Sequence, residues 1–118
     1  MFPPDSEDPL ILQDVTNLGE SLVHTARLTE AQSLMRKHLP IARRVLGPDH
    51  EITYGIIETL AGAMFQNALA PRKDLVEATE IVTKQLKRLR QVLGAAHPAT
   101  QRHEAYLKHL QERLARPE

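Results

Sequence analysis

The chain has 118 residues, of which 42% are hydrophobic and 25% charged, with fifteen basic residues, fifteen acidic residues and no cysteine. The length allows one domain with a modest core, and the lack of cysteine excludes disulfides, thiolate chemistry and Cys-based zinc sites. Balanced charge and few aromatic residues argue against nucleic-acid binding, and no apolar stretch is long enough for a membrane span. We therefore expect a soluble cytoplasmic protein.

Apolar residues recur at intervals of three and four along almost the whole chain, which is the period of an amphipathic helix. This pattern predicts five α-helices, at 9–26, 28–46, 50–69, 73–93 and 97–115. With two Phe, two Tyr and no Trp, the core must be aliphatic, a composition that favours helices over strands. Residues 1–8 are expected to form a flexible leader, and residues 9–115 a single helical domain.

A short motif occurs twice in the same local context, as Leu46-Gly47-Pro48-Asp49-His50 and as Leu93-Gly94-Ala95-Ala96-His97. Each glycine follows the last apolar residue of a predicted helix, where a left-handed residue commonly ends a helix. We expect Asp49 to cap the next helix, and both histidines to form hydrogen bonds or packing contacts at this turn. The two leucines are expected to be buried. A repeat of this length predicts a solenoid, with repeats at 9–46 and 50–93 and a capping helix at 97–115.

The spacing within each unit matches a known repeat: Val15-x2-Leu18-Gly19-x2-Leu22 then Ala31-x3-Met35, and Ile57-x2-Leu60-Ala61-x2-Met64 then Ala78-x3-Val82. Both units resemble the tetratricopeptide repeat, and their long second helices ending in Leu-Gly-x-x-His are similar to the 42-residue repeats of kinesin light chains. The resemblance implies an all-α, right-handed superhelical solenoid of antiparallel helix hairpins, with two repeats and a C-terminal capping helix. The small residues at the repeat positions would let the two helices of a hairpin approach closely.

Three features depart from the repeat pattern. Pro40 lies inside the second predicted helix, where it lacks an amide hydrogen, so we expect that helix to bend or break near residues 36–40 while helix 73–93 stays straight. The linker before helix 73–93 is longer than its counterpart around Arg27 and contains Pro71. Thr59 occupies the position at which the first unit has the usual asparagine, Asn17.

The resemblance implies an adaptor or scaffold module that binds a protein or peptide partner without catalysis and without a cofactor. The first helix of each unit and the last helix would form its concave face, which gives these candidate partner-binding residues: Asn17, Glu20, His24, Glu58, Thr59, Gln66, Arg102, Tyr106, His109 and Arg113. Amide and hydroxyl groups there could bond a peptide backbone, while Arg102 and Tyr106 favour an acidic segment with one anchored side chain. The alternative is self-association into a homo-oligomer through exposed terminal repeat faces.

Other chemistry finds little support in the sequence. The six histidines never stand four residues apart on one predicted helix, the spacing that would place two metal ligands on a common face. The chain has neither a glycine-rich phosphate loop nor a nucleophile motif, so we assign no catalytic residue and no metal ligand. A basic cluster on helix 73–93 is interpreted as a solvated outer face, with the members Lys84, Lys87, Arg88 and Arg90.

Overall fold

The computed structural model describes residues 8–116 and contains, over that range, five α-helices and no β-strand. The helices are α1 (Pro9–His24), α2 (Leu28–Val45), α3 (Glu51–Gln66), α4 (Arg72–Val92) and α5 (Pro98–Ala115). The predicted all-helical class and all five helices are confirmed. The largest difference in bounds is at the end of α3, which stops at Gln66 instead of residue 69. None of these helices is long and apolar enough to cross a membrane.

The helices form two layers, and α3 is the central helix of the first. Helix α3 packs against all four other helices, with α1 on one side and α5 on the other, while α2 packs on α1 and α3 and α4 packs on α3 and α5. The first layer is therefore α1, α3 and α5, and the second is α2 and α4. Because α3 is covered from several directions, it contributes more buried residues than any other helix.

Close approach within the first unit depends on Gly19. A Cβ atom added at this position would lie 2.6 Å from Met35 Cε and 3.3 Å from Thr59 Cγ2, so no larger residue fits without movement of its neighbours. Met35 is completely buried, so the end of its side chain would have to repack within the core. Three other small residues of the repeat pattern are buried: Ala31, Ala61 and Ala78.

We predict opposite effects of adding a methyl group at two helical glycines. Gly19→Ala should lower the free energy of unfolding by about 1–3 kcal/mol, because overpacking against Met35 outweighs the gain in helix propensity. Gly62→Ala is the matched control, since its Cβ would lie 3.5 Å from Tyr106, an ordinary contact, and should be neutral or stabilising by up to about 1 kcal/mol. Urea denaturation measures both changes. Equal effects would show that the close approach at Gly19 does not limit stability.

The inter-unit turn combines a left-handed glycine with a histidine cap. Gly47 and Gly94 have φ angles of 88° and 89°, which confirms the predicted helix ends. The Nδ1 atoms of His50 and His97 each accept a hydrogen bond at 3.0 Å, from the amides of Ile52 and Ala99 respectively. The two histidines are thus the N-caps of α3 and α5. Their predicted hydrogen-bonding role at the turn is confirmed.

The predicted capping role of Asp49 is wrong. Helix α3 begins one residue later than predicted, at Glu51, so the cap position falls on His50. Asp49 instead accepts hydrogen bonds from Arg88 Nε and Nη2 at 2.9 and 2.8 Å, and this interaction lowers the pKa of the Asp49 carboxyl. The turn between α2 and α3 is therefore connected to α4 by an exposed ion pair.

We predict that His97→Ala lowers the free energy of unfolding by about 1 kcal/mol, because the amide of Ala99 loses its side-chain acceptor. His97→Asn should largely preserve stability, since asparagine is a favourable N-cap residue. Thermal denaturation of the two variants at neutral pH tests this role. An equal loss in both variants would mean that the imidazole acts by packing and not by capping.

Two predictions about burial are wrong because the residues lie at an edge of the core. Leu46 and Leu93 are half-buried, each packed against core residues at the C-terminal cap of its helix. Truncation there should therefore cost less than at a fully buried leucine. Leu18, which belongs to the apolar repeat pattern, is 52% exposed.

The predicted break at Pro40 is also wrong. Helix α2 runs without interruption from Leu28 to Val45 with Pro40 inside it. Pro40 itself is exposed, whereas the residues on both sides of it are buried, namely His38, Leu39, Ile41 and Ala42. Packing of these neighbours holds the turn in helical geometry despite the missing amide hydrogen. A bend without a break stays a prediction.

Candidate functional site

A groove runs between α1 and α5, with α3 as its floor; we call it the inner groove. It consists of two adjoining cavities of about 500 and 260 Å³. Glu20, Gly55 and Glu58 line both cavities and so mark their junction. The larger cavity also contacts Val23, His24, Thr59, Gly62, Gln66 and Tyr106, and the smaller one Gln13, Thr16, Glu51, Ile52, Tyr54 and Arg102.

Most of the partner-binding residues predicted from the sequence lie along this groove. Seven of them line its two cavities: Glu20, His24, Glu58, Thr59, Gln66, Arg102 and Tyr106. His109 and Arg113 instead line a third cavity of about 510 Å³ near the end of α3, which also contacts Gln66. Asn17 lines none of these cavities. It is exposed on α1, where its Oδ1 atom accepts a hydrogen bond from Gln13 Nε2 at 3.1 Å.

Arg102 is already engaged by a neighbour in the groove. Its Nε atom donates to Glu58 Oε1 at 2.9 Å, joining α5 to α3, and this hydrogen bond raises the pKa of Arg102. The side chain of Glu58 is only 13% exposed, whereas that of Arg102 is 52% exposed. The positive charge expected to select an acidic peptide at this position is therefore largely offset by a half-buried carboxylate.

His103 completes this cluster beneath the groove. It is 1% exposed, its Nδ1 atom lies 3.1 Å from the carbonyl of Ala99 and 3.3 Å from Glu58 Oε2, and its ring contacts Tyr54 edge-on. Among residues 8–116, Glu58 Oε2 and His103 Nε2 are buried atoms without a hydrogen-bond partner. The floor of the groove therefore holds a carboxylate with only one of its oxygens hydrogen-bonded.

Two small residues and a threonine shape the floor of the groove. Gly55 and Gly62 stand seven residues apart on α3, so they share a helix face, and both line the larger cavity. Between them, Thr59 is 7% exposed and its hydroxyl donates to the carbonyl of Gly55 at 3.0 Å. Because this hydroxyl is used within α3, Thr59 contributes the shape of the floor more than a free hydrogen-bonding group.

Aromatic side chains gather at the end of the groove near the C-terminus of α3. Phe65 stacks on His109 with ring centroids 4.8 Å apart and contacts Tyr106 at 5.8 Å. Tyr106 is half-buried; desolvation is the main cause that raises its pKa, and the negative charges of Glu58 and Glu20 raise it further. Arg113 donates to the backbone carbonyl of Phe65, which ties α5 to the end of α3.

Charge changes sign along the helix axes. The two cavities of the inner groove are lined by the acids Glu20, Glu51 and Glu58 and by one strong base, Arg102. The third cavity is lined by the bases Arg72, Arg113 and Arg116 and by one acid, Glu112. The acidic region is thus at the start of α3 and the basic region at its end.

The second layer, formed by α2 and α4, carries the basic cluster predicted to be solvated. Its four residues on α4 are exposed, and two of them form ion pairs, Arg88 with Asp49 and Arg90 with Glu104. A further pair, between Arg36 and Glu77, joins α2 to α4. Exposed pairs of this kind contribute little stability individually. Among residues 8–116, no three or more His, Asp or Glu side chains come together in a group that could hold a metal ion.

The sequence analysis did not identify the two glycines of the groove floor, Gly55 and Gly62, or the buried His103 beside Glu58. Gly55 and Gly62 carried a usable signal, because glycine inside a strongly helical pattern commonly has a packing or functional reason. His103 did not, because its burial depends on the packing of α5 against α3 and on an acid 45 positions earlier. Glu51 and Tyr54 were missed because the start of α3 was not recognised as part of the concave face.

Comparison with known families gives one match. The family model described as Tetratricopeptide repeat matches residues 16–51, a range that holds most of α1, all of α2 and the turn up to His50. No curated protein and no solved structure gave a significant match. Tetratricopeptide repeats generally mediate protein–protein interaction and are typically non-catalytic. The match supports a tetratricopeptide repeat in the first helix hairpin of this chain.

Proposed function

We propose that this chain is a non-catalytic adaptor module that binds an extended or short helical peptide segment of a partner protein in the inner groove. The observation that carries the proposal is the continuous pair of cavities along α1, α3 and α5, on the side of the molecule away from α2 and α4. Helical repeat proteins bury their apolar surfaces between units and leave such a face for partners. Peptide recognition in grooves uses backbone hydrogen bonds and a few anchored side chains.

Several groups of the groove suit a peptide ligand. Gln66 and His24 are exposed polar side chains at its border and can bond a peptide backbone. Tyr106 is half-buried in the groove wall, a setting in which aromatic residues often anchor a partner. The floor of the larger cavity includes Gly55 and Gly62, which add no side chain to it. The proposal includes the architecture expected from the sequence, a right-handed solenoid of two kinesin light chain-type repeats and a capping helix. It also places the protein in the cytoplasm.

The proposal can be tested with peptides selected from a random twelve-residue phage library on the full chain. We expect the selected peptides, measured by fluorescence anisotropy, to bind Tyr106→Ala at least about tenfold more weakly, the loss typical of an interface anchor. Lys84→Ala, an exposed change on α4, is the matched control and should leave the affinity unchanged. If instead Lys84→Ala or Lys87→Ala abolished binding and Tyr106→Ala did not, the binding surface would be the second layer, formed by α2 and α4.

Self-association remains the second candidate because α1 exposes two large apolar side chains. Leu10 is 76% exposed and Leu18 is 52% exposed, and the two stand eight residues apart on one helix face. If this face pairs with a second copy, light scattering will show a dimer that Leu18→Glu converts to a monomer. A chain that is monomeric at every concentration measured would eliminate this alternative.

A further inference from the structure

The inner groove has a chemical preference that can be inferred from its charges. We propose that the groove accepts a cationic side chain, lysine or arginine, from the bound peptide, held at the junction of the two cavities by Glu20 and Glu58 with Tyr106 beside it. This inference rests on the proposed function, because it specifies which peptide the groove selects. It reverses the acidic preference that the sequence suggested for Arg102.

The charges on the groove wall are unequal. Three carboxylates, Glu20, Glu51 and Glu58, face one guanidinium, that of Arg102, across the two cavities. Glu20 and Glu51 are exposed and form no ion pair within residues 8–116, so their charges are directed to solvent or to a ligand. Complementary charge steers a ligand and rejects those of the wrong sign. A cationic group is therefore the complementary occupant.

Only one carboxylate oxygen of Glu58 is hydrogen-bonded. The side chain of Glu58 is only 13% exposed, and Arg102 donates a hydrogen bond to Oε1 alone. Oε2 is buried and forms no hydrogen bond, although Nδ1 of the buried His103 lies 3.3 Å from it. A carboxylate of this kind in the low-dielectric floor of a groove interacts more strongly with an added cation than a fully solvated one does.

An aromatic residue forms part of the groove wall near the carboxylates. Tyr106 lines the larger cavity together with Glu20 and Glu58. An aromatic ring next to a site for positive charge adds a cation–π attraction and covers the aliphatic part of a lysine or arginine side chain. Gly55 and Gly62 line the floor of this cavity and contribute no side chain to it. Shape, charge and ring together favour a long side chain that ends in a cation.

The test compares library selections on three proteins. On the unmodified chain we expect one peptide position to be strongly enriched in lysine or arginine. Glu20→Gln combined with Glu58→Gln should remove that enrichment and weaken the selected peptide by about tenfold or more. Glu30→Gln combined with Glu80→Gln changes the net charge equally at exposed positions of α2 and α4, so it should preserve both the enrichment and the affinity.

The outcomes separate this inference from the proposed function. Groove-dependent peptides with no preference for lysine or arginine, or with a preference for acids, would overturn the inference and leave the proposed function standing. If no selected peptide depended on Tyr106, both would fail. Because Glu58 also bonds Arg102, the Glu20→Gln variant alone is measured as well. Glu20 is exposed and forms no such bond, so its substitution should weaken basic peptides without lowering the melting temperature.

Discussion

Replacing Leu60 with alanine is expected to lower the free energy of unfolding by about 2–5 kcal/mol. Leu60 is 2% exposed and lies in the middle of α3, the helix that packs against all the others. The substitution removes buried apolar contacts and leaves a cavity that the surrounding helices cannot fully close. Such a loss is a large share of the total stability of a small domain.

Leu69→Ala is the matched control for this effect. Leu69 is 89% exposed in the linker between α3 and α4, so its truncation should change stability by less than about 0.5 kcal/mol. Urea denaturation with both variants measures the difference directly. Similar midpoints for the two variants would contradict the central position of α3 in the core.

Removing residues 97–118 is expected to destabilise the chain more than any single substitution in α5. Helix α5 packs on α3 and α4, and its buried residues Ala99 and Leu110 contact the core. Its removal would expose Tyr54 and Leu89, which are 8% and 1% exposed in the full chain. We expect a lower melting temperature and concentration-dependent association, measured by thermal denaturation and light scattering.

Leu110→Ala provides a second measurement if the truncated chain does not fold. Leu110 is completely buried, so this change should cost about 2–5 kcal/mol within an intact chain. Lys108→Ala, on the exposed side of the same helix, should be close to neutral. A truncated chain that stayed monomeric and equally stable would show that α5 is an appendage and not a cap.

The helices were predictable because their signals are local. Apolar spacing of three and four, the glycines at 47 and 94 and the proline at position 98 fix where each helix starts or ends, and the structure follows them closely. The same local reasoning does not exclude an unbroken helix at Pro40, where α2 continues because packing of the neighbouring buried residues outweighs the lost hydrogen bond. It failed at Asp49, where a shift of one residue in the start of α3 moved the cap to His50.

The candidate site was only partly predictable because its chemistry depends on distant pairs. The repeat pattern indicated which helices face inward, and most of the residues chosen on that basis line the groove. The pattern could not indicate that Arg102 bonds Glu58, a residue 44 positions earlier on another helix. This contact offsets the charge of Arg102, and Glu20 and Glu51 then leave the groove wall with an excess of carboxylates, on which the proposed preference for a basic side chain rests.

The most direct test of the account is a map of backbone amide chemical shifts on addition of a library-selected peptide. We expect the largest changes along the inner groove, at Glu20, Gly55, Glu58, Gly62 and Tyr106, and little change at Lys84, Lys87 and Arg88 on α4. Such a footprint would support peptide binding on the face formed by α1, α3 and α5. Changes concentrated on α2 and α4, with the groove residues unaffected, would contradict it.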